Sequence, residues 1–395
     1  MALVNPFREG PAGGYFVGRE PELARFERAL TALKAYQPSH MYVAGTNGRG
    51  KTSYLAKLIA MSQDQGIIAV RVALDGGVPA LQQITSLVQI LIREVDTKIK
   101  EAANAPRLAT EWAKGASSSF NLRAAERLQN DHVLQDLSYI HTAASEQGFE
   151  QIVICIDEGE RIEPYALSAL KNALLSLSSY LVVVSLRLAD DLQDPVSAGR
   201  LKLEEIAAAA DRDIGAARIF AAGVGLGAFS AAQAHLCITR RLEDNEISFD
   251  DEVVDLIARV AEGLPDRIIK YAHDVYDHVA DLNLKVATRD IFKQTFIARH
   301  YPEISEASAI KLRSTSTEQK VLGHLSHFNG PATAEDLAKS IYSSVNAEAL
   351  GPVAEALVNI LERFCESAVC AKTGEHYTIS DPVKRYALEI SMGSV

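Results

Sequence analysis

The chain has few cysteines. Its 395 residues include only four, Cys155, Cys237, Cys365 and Cys370. Their spacing does not match that of metal-ligating cysteines, and so few cysteines in so long a chain do not form the framework of a disulfide-rich secreted domain. The sequence therefore predicts free thiols in a reducing compartment, and we expect a cytoplasmic protein.

Long apolar runs are also absent. No uninterrupted apolar segment reaches the roughly 18 residues that indicate a membrane-spanning helix. The first residues, Met-Ala-Leu-Val-Asn-Pro-Phe, lack a basic region followed by a long apolar one, which is the pattern of an export signal. We therefore expect neither export nor membrane insertion.

Basic residues are also fewer than acidic ones. Lys and Arg number 40 against 51 Asp and Glu, which gives a net charge of −11. A protein that coats nucleic acid through its overall charge carries the opposite sign. Any contact with DNA must therefore come from a local basic patch.

What the chain does contain is a glycine-rich loop. Positions 45–52 read Gly-Thr-Asn-Gly-Arg-Gly-Lys-Thr, between an apolar run at 41–44 and a helix-like stretch at 53–63. This is the Walker A pattern, in which backbone N–H groups and a helix N-terminus bind phosphates. We expect Lys51 to reach the β- and γ-phosphates of ATP and Thr52 to bind Mg²⁺. The predicted nucleotide-binding residues of this loop are Gly45, Thr46, Asn47, Gly48, Arg49, Gly50, Lys51, Thr52 and Ser53.

A second apolar run, at 151–156, ends in two carboxylates, Asp157 and Glu158. Such a run is typical of a buried parallel strand whose last residues are acidic and lie at the edge of a sheet. It matches the Walker B motif. Asp157 would hold Mg²⁺ through its water shell, and Glu158 would orient or deprotonate the attacking water. The alternative is a buried strand with exposed acids at its end.

The first half of the chain alternates between predicted strands and helices, which indicates an α/β fold with a doubly wound parallel sheet and the nucleotide at the carboxyl ends of its strands. Residues 101–122, with the single Trp112, interrupt this pattern as an irregular insertion. The predicted strands are 41–44, 67–74, 151–158 and 180–185, and the predicted helices are 20–33, 53–63, 78–99, 131–147 and 164–177.

The second half is mainly helical. Alanine-rich sequence over 197–301 predicts a small helical lid, in which Ser230 and Gln233 form a capping box. In the last eighty or so residues, three predicted helices and a hairpin around Thr373 and Gly374 indicate a winged helix. We therefore predict three domains: a P-loop core over 1–195, a helical lid over 196–305 and a winged-helix domain over 306–395.

This order of features resembles the AAA+ ATPases, close to the origin-recognition and transposon target-selection types. Phe-Val-Gly-Arg-Glu at 16–20 is followed by Walker A, Walker B, Ser185 in the sensor 1 position, the lid and the winged helix. The chain is also similar to the STAND signalling ATPases, including archaeal-type ATPases with a winged helix. The resemblance covers most of the chain and rests mainly on the two Walker motifs.

The resemblance implies roles for residues outside those motifs. Gly18 and Arg19 would lie near the adenine, and Ser185 would help to position the hydrolytic water. Arg187 matches the arginine that ends the corresponding strand in STAND proteins. For Ser185 and Arg187 the alternative is an ordinary strand end.

The sensor 2 position departs from the pattern of AAA+ relatives. In those relatives an arginine follows directly after a Gly-x-Pro or Gly-x-Ala triplet. In this chain the triplet at 263–265, Gly-Leu-Pro, is followed by Asp266, and Arg267 comes one position later. One helical step rotates a side chain by about 100°. Arg267 therefore either contacts the nucleotide or forms a surface ion pair with Asp266 or Glu262.

Hydrolysis in this class normally needs an arginine from a neighbouring subunit, so the resemblance implies a homo-oligomer that forms with ATP. Arg200, Arg212 and Arg218 lie before the capped lid helix that starts at Ser230, in the region where such arginines occur, and Arg212 is the favoured candidate. The alternative for each is solvated surface charge.

The predicted winged helix could bind DNA or protein. Its third helix, 346–364, offers only Arg363 against three glutamates, which suits a phosphate-lined groove poorly. Better placed are the basic residues of the predicted hairpin, which is the wing, and of the helix after it: Lys372, His376, Lys384 and Arg385. From residue 318 onward, acids outnumber bases by ten to six, so a protein partner or a neighbouring subunit is at least as plausible as DNA.

Two functions follow from these patterns. In the first, an ATPase assembles on or near duplex DNA in its ATP state and recruits a replication, transposition or defence partner. In the second, a STAND-like switch binds a protein trigger and uses ATP to lock an oligomer. A subunit that binds nucleotide without turnover is disfavoured, because Glu158 stands beside Asp157.

Overall fold

The computed structural model describes the chain in two compact units, one formed by Gly10–Ala228 and the other by Met1–Glu9 with Phe229–Val395. The described residues are 4–8, 10, 13–103, 108–114, 120–189, 194–209, 215–328, 330–343 and 347–392.

The first unit is built on a five-stranded parallel sheet with the strand order β2-β3-β4-β1-β5. Every residue of β1 and β3 is buried, as expected for apolar strands that are covered on both faces. The strands are β1 Met41–Gly45, β2 Ile68–Ala73, β3 Ile152–Asp157, β4 Tyr180–Arg187 and β5 Ala222–Gly225.

Helices cover both faces of this sheet and create two hydrophobic clusters. Successive strand residues alternate between the clusters, with Val43 in the one that contains α1 and α2, and Tyr42 and Ala44 in the other. This arrangement confirms the predicted doubly wound α/β fold. The helices are α1 Glu20–Lys34, α2 Lys51–Asp64, α3 Ala80–Ala103, α4 Leu108–Lys114, α5 Asn130–Ser145, α6 Pro164–Leu174, α7 Pro195–Ala208 and α8 Gly215–Arg218.

Strand β5 was not predicted, because Ala-Gly-Val-Gly carries little strand propensity. Its glycines are required by packing: a Cβ on Gly223 would lie 2.4 Å from the Tyr42 ring, and one on Gly225 would lie 3.0 Å from Pro195 at the start of α7. The first unit therefore extends to residue 228, whereas the predicted core ended at 195. The division into three domains stays a prediction.

The segment predicted as an irregular insertion contains α4 and a 3-10 turn, Leu122–Ala124. Two buried carboxylates anchor its described parts. Asp96 of α3 accepts a hydrogen bond from the Leu108 N–H at 2.8 Å, and Asp136 of α5 accepts one from the Leu122 N–H at 3.0 Å. The side chain of Trp112 lies outside the described residues.

The lid sequence of the second unit forms five helices and a short parallel strand pair among its described residues. Ser230 and Gln233 form the predicted capping box at the start of α9. Near the N-terminus, Phe7 is fully buried and stacks on Phe249. The elements are α9 Ala231–Leu242, β6 Ser248–Phe249, α10 Asp251–Val260, α11 Pro265–Asp281, β7 Val286–Ala287, α12 Arg289–Arg299 and α13 Tyr301–Arg313.

The rest of the second unit is compatible with a winged helix. Its described residues form four helices and a small antiparallel sheet with the order β8-β10-β9, and Gly374 takes φ 62° in the hairpin turn. The elements are α14 Ser316–His327, β8 Ala332–Thr333, α15 Ala334–Ile341, α16 Ala347–Glu366, β9 Ala371–Thr373, β10 His376–Thr378 and α17 Pro382–Met392. Within the described ranges, no helix has both the length and the apolar composition needed to cross a membrane.

Candidate nucleotide-binding site

The Walker A loop joins the end of β1 to the start of α2, as the sequence predicts. Gly48 and Gly50 take left-handed φ values of 75° and 82°, which glycine adopts without strain. A Cβ on Gly45 would lie 3.0 Å from the Leu226 carbonyl oxygen. The glycines therefore allow the loop to turn tightly, and the turn places the positive end of the α2 dipole at the predicted phosphate position.

Lys51 lies folded against this loop. Its Nζ donates hydrogen bonds to the carbonyl oxygens of Gly45 and Thr46, both at 2.9 Å. Burial lowers the pKa of Lys51, while Glu160 and Asp157 act in the opposite direction. The ammonium group is thus held beside the loop by acceptors that phosphate oxygens could replace.

Asp157 is the centre of a hydrogen-bonded cluster from three elements. Thr52 Oγ1 at the start of α2 donates to Asp157 Oδ2 at 3.0 Å, and Ser185 Oγ of β4 donates to Asp157 Oδ1 at 2.6 Å. Asp157 is 6% exposed and Ser185 is fully buried. The structure thus brings together Thr52, Asp157 and Ser185, which are far apart in the sequence.

This cluster fits Mg²⁺. The Thr52 hydroxyl and the Asp157 carboxylate are hard oxygen donors, which that ion prefers. No group of three or more His, Cys, Asp or Glu residues in the described part of the chain could hold a metal. A Mg²⁺ ion held by two protein oxygens would take its remaining ligands from phosphates and water. Thr52 and Asp157 would hold the ion.

Glu158 occupies a strained turn directly after β3. Its φ is 54°, in the left-handed region, and its N–H donates to Asp157 Oδ1 at 3.1 Å. A Cβ on the next residue, Gly159, would lie 2.1 Å from Val184 Cγ1, so the turn packs tightly against β4. The Glu158 carboxylate is about half exposed and pairs with Arg161 at 2.8 Å. Sequence reasoning missed Arg161, whose signal was its spacing of three residues from Glu158.

Arg19 connects three parts of the first unit. It takes φ 70° at the start of α1, is 5% exposed, and burial lowers its pKa. Its Nη2 donates to the carbonyl oxygens of Gly227 at 2.7 Å and Arg49 at 3.3 Å. Gly18 also has a positive φ, 68°. The predicted 18–19 pair thus adjoins the Walker A loop, and its contact with adenine stays a prediction.

Gln83 and Glu160 were not predicted from the sequence. Gln83 of α3 is buried, its Nε2 donates to Asp75 O and Arg161 O at 2.9 Å each, and its Oε1 accepts from the Glu163 N–H at 2.8 Å. Glu160 Oε2 accepts from the Arg187 N–H at 3.0 Å. These bonds fix the segments that follow β2, β3 and β4. A lone glutamine in an amphipathic helix gives no sequence signal for such a role.

The predicted arginines fall in different places. Arg212 lies outside the described residues, Arg200 is half-buried on α7 and Arg218 ends α8. Arg267 is 3.7 Å from Glu262 and about 45% exposed, which is the ion pair expected as its alternative role. Its contact with nucleotide stays a prediction.

Four of the basic residues considered for DNA contact are paired with glutamates in the second unit. Arg363 pairs with Glu318 at 2.7 Å, and Lys372 of the wing pairs with Glu362. After the wing, Lys384 lies 3.1 Å from Glu306 and Arg385 lies 3.1 Å from Glu262. DNA phosphates would have to displace these carboxylates to use the same cations.

The chain is similar to several known proteins. Residues 15–184 match the AAA ATPase domain. An uncharacterised HTH-type transcriptional regulator of Methanocaldococcus jannaschii is 22% identical over 363 residues, 86% of this chain and 82% of that protein. The structure of the Aeropyrum pernix ORC2 protein in ADPNP–ADP complexes is similar with a TM-score of 0.53 and 11% identity, covering 99% of this chain and 96% of that one. A Walker-type ATPase of Pyrococcus abyssi matches with a TM-score of 0.48 and 13% identity, covering 97% and 99%.

Proposed function

We propose that the protein is an ATP-binding and ATP-hydrolysing switch that assembles into an oligomer on or near DNA and recruits a partner, since residues 15–184 match the AAA ATPase domain. One observation carries the proposal. The Asp157 carboxylate, held by Thr52 and Ser185, lies at the end of β3, and Lys51 begins the helix that follows the glycine-rich loop. This is the arrangement that binds a triphosphate.

ATP binding would change the partners of Lys51. Its Nζ would exchange the Gly45 and Thr46 carbonyl oxygens for β- and γ-phosphate oxygens, which carry more negative charge. A bound Mg²⁺ would neutralise charge on the phosphates. Thr52 and Asp157 are already close enough to share a hydrogen bond, so little rearrangement is needed for them to hold it.

Hydrolysis would depend on Glu158. A carboxylate that orients or deprotonates the attacking water contributes about 10² to 10⁴ in rate. In this structure the Glu158 carboxylate is engaged by Arg161, so it must leave or share that partner to contact the water. An arginine supplied by a second subunit adds roughly 10³ to 10⁵ in this class of reaction. Arg212 is our candidate for that residue, and activity would then require assembly.

A DNA-associated role draws support from the comparisons. The Methanocaldococcus jannaschii relative is described as an HTH-type transcriptional regulator. A winged helix belongs to the same general class of helix-based DNA readers. Duplex DNA is therefore the first partner to test.

A second candidate is a STAND-like switch in which the winged helix binds a protein. The ion pairs of Arg363, Lys372, Lys384 and Arg385 favour it, because each cation already has an acidic partner. Exposed α16 residues include Glu355 and Glu366. A protein partner with basic groups would meet this surface without the repulsion that DNA phosphates meet.

The decisive measurement is the ATPase rate per subunit as a function of protein concentration, with and without duplex DNA at low salt. We expect the rate to rise with concentration, because assembly completes the site. Stimulation by DNA favours the first function, and a rate that DNA leaves unchanged but a protein raises favours the second. A rate independent of concentration would contradict assembly.

Nucleotide binding is tested separately. Lys51→Ala should abolish tight ATP binding, because it removes the main cation at the phosphates. Lys57→Ala, on the same helix, is the matched control and should bind as the natural protein does. Wild-type affinity in Lys51→Ala would contradict the site itself.

A further inference from the structure

Two cysteines meet where the third helix of the winged-helix region turns into the wing. Cys365 lies in the last turn of α16 and Cys370 lies directly before β9, and their Sγ atoms are 3.2 Å apart. The bond length of a disulfide is about 2.05 Å. The two sulfurs therefore need to approach by only about 1 Å to be joined.

The helix end itself creates this proximity. After α16, Ala368 takes φ 56°, in the left-handed region, and reverses the chain. The Ala368 N–H donates to Cys365 O at 3.0 Å and the Val369 N–H donates to Phe364 O at 2.8 Å. A left-handed residue with such bonds is a common way to end a helix. It returns Cys370 to the last turn of α16, so the thiol pair is a consequence of the local backbone.

We propose that Cys365 and Cys370 are a thiol–disulfide modification site that covalently ties the end of α16 to the wing. The reagent class is a low-molecular-weight disulfide such as oxidised glutathione. Cys365 Sγ attacks one sulfur of the reagent, which releases one glutathione thiolate. Cys370 Sγ then attacks Cys365 Sγ, the intramolecular S–S bond forms, and the second glutathione leaves. The two cysteine protons pass to the two glutathione thiolates, so the cysteines are oxidised by two electrons and the reagent is reduced.

Accessibility assigns the order of these steps. Cys365 is half-buried, whereas Cys370 is 7% exposed and its pKa is raised by burial. Cys365 is thus the residue that the reagent can reach. The other two cysteines are poor targets, because Cys155 is fully buried within β3 and Cys237 is 3% exposed on α9.

The tie would strengthen a junction that polar contacts already make. Glu362 of α16 pairs with Lys372 of β9, and its Oε1 also accepts from the Tyr377 hydroxyl of β10 at 3.1 Å. The Lys372–Glu362 ion pair is partly exposed, and such pairs are weak in water. A disulfide beside them would make the wing follow α16, so oxidation would set the rigidity of the surface that we propose for a partner.

The test uses the full chain treated with oxidised glutathione. We expect the thiol count to fall from four to two, the intact mass to fall by that of two hydrogen atoms, and a digest to give one peptide that links 365 to 370. Reduction by dithiothreitol should restore all four thiols. Amides of 371–378 should exchange hydrogen more slowly in the oxidised protein.

Two variants complete the test. In Cys365→Ser, thiols should be lost only to single glutathione adducts, and no internal disulfide should form. Cys237→Ser is the matched control and should form the internal disulfide. A stable glutathione adduct on Cys365 of the natural protein without closure, or a link between two chains instead, would overturn the proposal. So would unchanged hydrogen exchange in the wing after complete oxidation, because the proposed tie would then restrict nothing.

Discussion

Ser185 Oγ donates a 2.6 Å hydrogen bond to Asp157 Oδ1 across the boundary between β4 and β3. The other carboxylate oxygen, Oδ2, accepts from Thr52. A carboxylate with both oxygens fixed in a nearly dry environment is pre-organised, because it cannot rotate freely when ligands arrive. Ser185 is therefore better described as a residue that orients Asp157 than as an ordinary strand end.

Replacing Ser185 by Ala should lower kcat about 10- to 100-fold, the usual range for loss of a group that orients a ligand residue. ATP affinity should change less, since Lys51 and the loop are untouched. Steady-state kinetics with Mg²⁺ titration will separate the two effects. Ser179→Ala is the control, because Ser179 is also buried but lies at the other end of β4. An unaltered kcat in Ser185→Ala would remove Ser185 from the site.

Glu158→Gln should bind ATP but hydrolyse it about 10² to 10⁴ times more slowly, because the amide cannot accept a proton from water. The variant should also accumulate whatever assembly ATP promotes. Single-turnover hydrolysis and light scattering measure the two effects. Glu205→Gln, in the exposed pair with Lys202, is the matched control. Full turnover in Glu158→Gln would exclude Glu158 as the base.

The ion pair between Arg161 and Glu158 leads to a further prediction about the Glu158 carboxylate. Arg161→Gln removes the 2.8 Å ion pair and leaves Glu158 without that cation. If the pair restrains Glu158 in the unassembled protein, basal hydrolysis at low protein concentration should rise several-fold, with little change in ATP affinity. The comparison is made against Arg123→Gln in the same unit. A lower basal rate would instead assign Arg161 a supporting role in catalysis.

The sequence alone predicts the motifs whose chemistry requires fixed spacing. Gly45 to Thr52 and the Asp157–Glu158 pair were found because a phosphate loop and a buried strand ending in acids have distinctive patterns. The structure places Thr52, Asp157 and Ser185 together because parallel strands present their carboxyl ends at one edge. Short apolar runs likewise predicted four of the five sheet strands.

Other features depend on tertiary packing and leave no local pattern. Strand β5 is glycine-rich because the Tyr42 ring and α7 occupy the space of its side chains. The role of Gln83 depends on three backbone groups from two distant loops. The pairing of Lys372 with Glu362 depends on how the wing folds back on α16. Such contacts follow from the fold and cannot be read from residue types alone.

ATP affinity should fall at alkaline pH earlier than expected for an ordinary lysine. Burial lowers the pKa of Lys51 below its usual 10.5, and only the protonated form attracts phosphate. As pH rises through that lowered pKa, the free protein loses the charge and binding weakens. Titration of ATP binding from about pH 8 to about pH 10 measures this. Lys51→Arg should bind with an affinity that does not vary over the range, because arginine stays protonated.

The first unit should lose stability in mild acid through His40. Burial lowers the pKa of His40 from 6.5 to about 4, and its Nδ1 accepts a hydrogen bond from the Val182 N–H at 3.1 Å. Below pH 6.5 the His40 side chain binds a proton in the unfolded chain but stays neutral in the folded unit. The free energy of unfolding therefore falls as the pH drops from 6.5 towards 4. Between neutral pH and pH 5 the loss should be about 2 kcal/mol. Urea unfolding at both pH values measures it, and His40→Asn, which keeps an acceptor but cannot titrate, should show a smaller loss.

The last prediction concerns how α17 is attached to α10 within the second unit. Arg259 Nη2 donates to Glu389 Oε1 at 2.9 Å, Glu389 is 3% exposed, and the Arg259 guanidinium lies 5.6 Å from the centre of the Tyr386 ring. Arg259→Ala leaves a buried carboxylate without its arginine partner and should lower the free energy of unfolding by about 2 to 3 kcal/mol. This is less than the roughly 3 to 5 kcal/mol typical of broken buried pairs, because Arg259 is partly exposed.

The exposed pair Arg289–Glu252 gives the matched comparison, and Arg289→Ala should cost less than about 1 kcal/mol. Replacing both partners, Arg259→Met with Glu389→Leu, should recover much of the loss, because no unpaired charge then remains in the interior. Thermal or urea unfolding of the three variants decides the point. Equal losses in Arg259→Ala and Arg289→Ala would mean that burial of Glu389 does not control the attachment of α17.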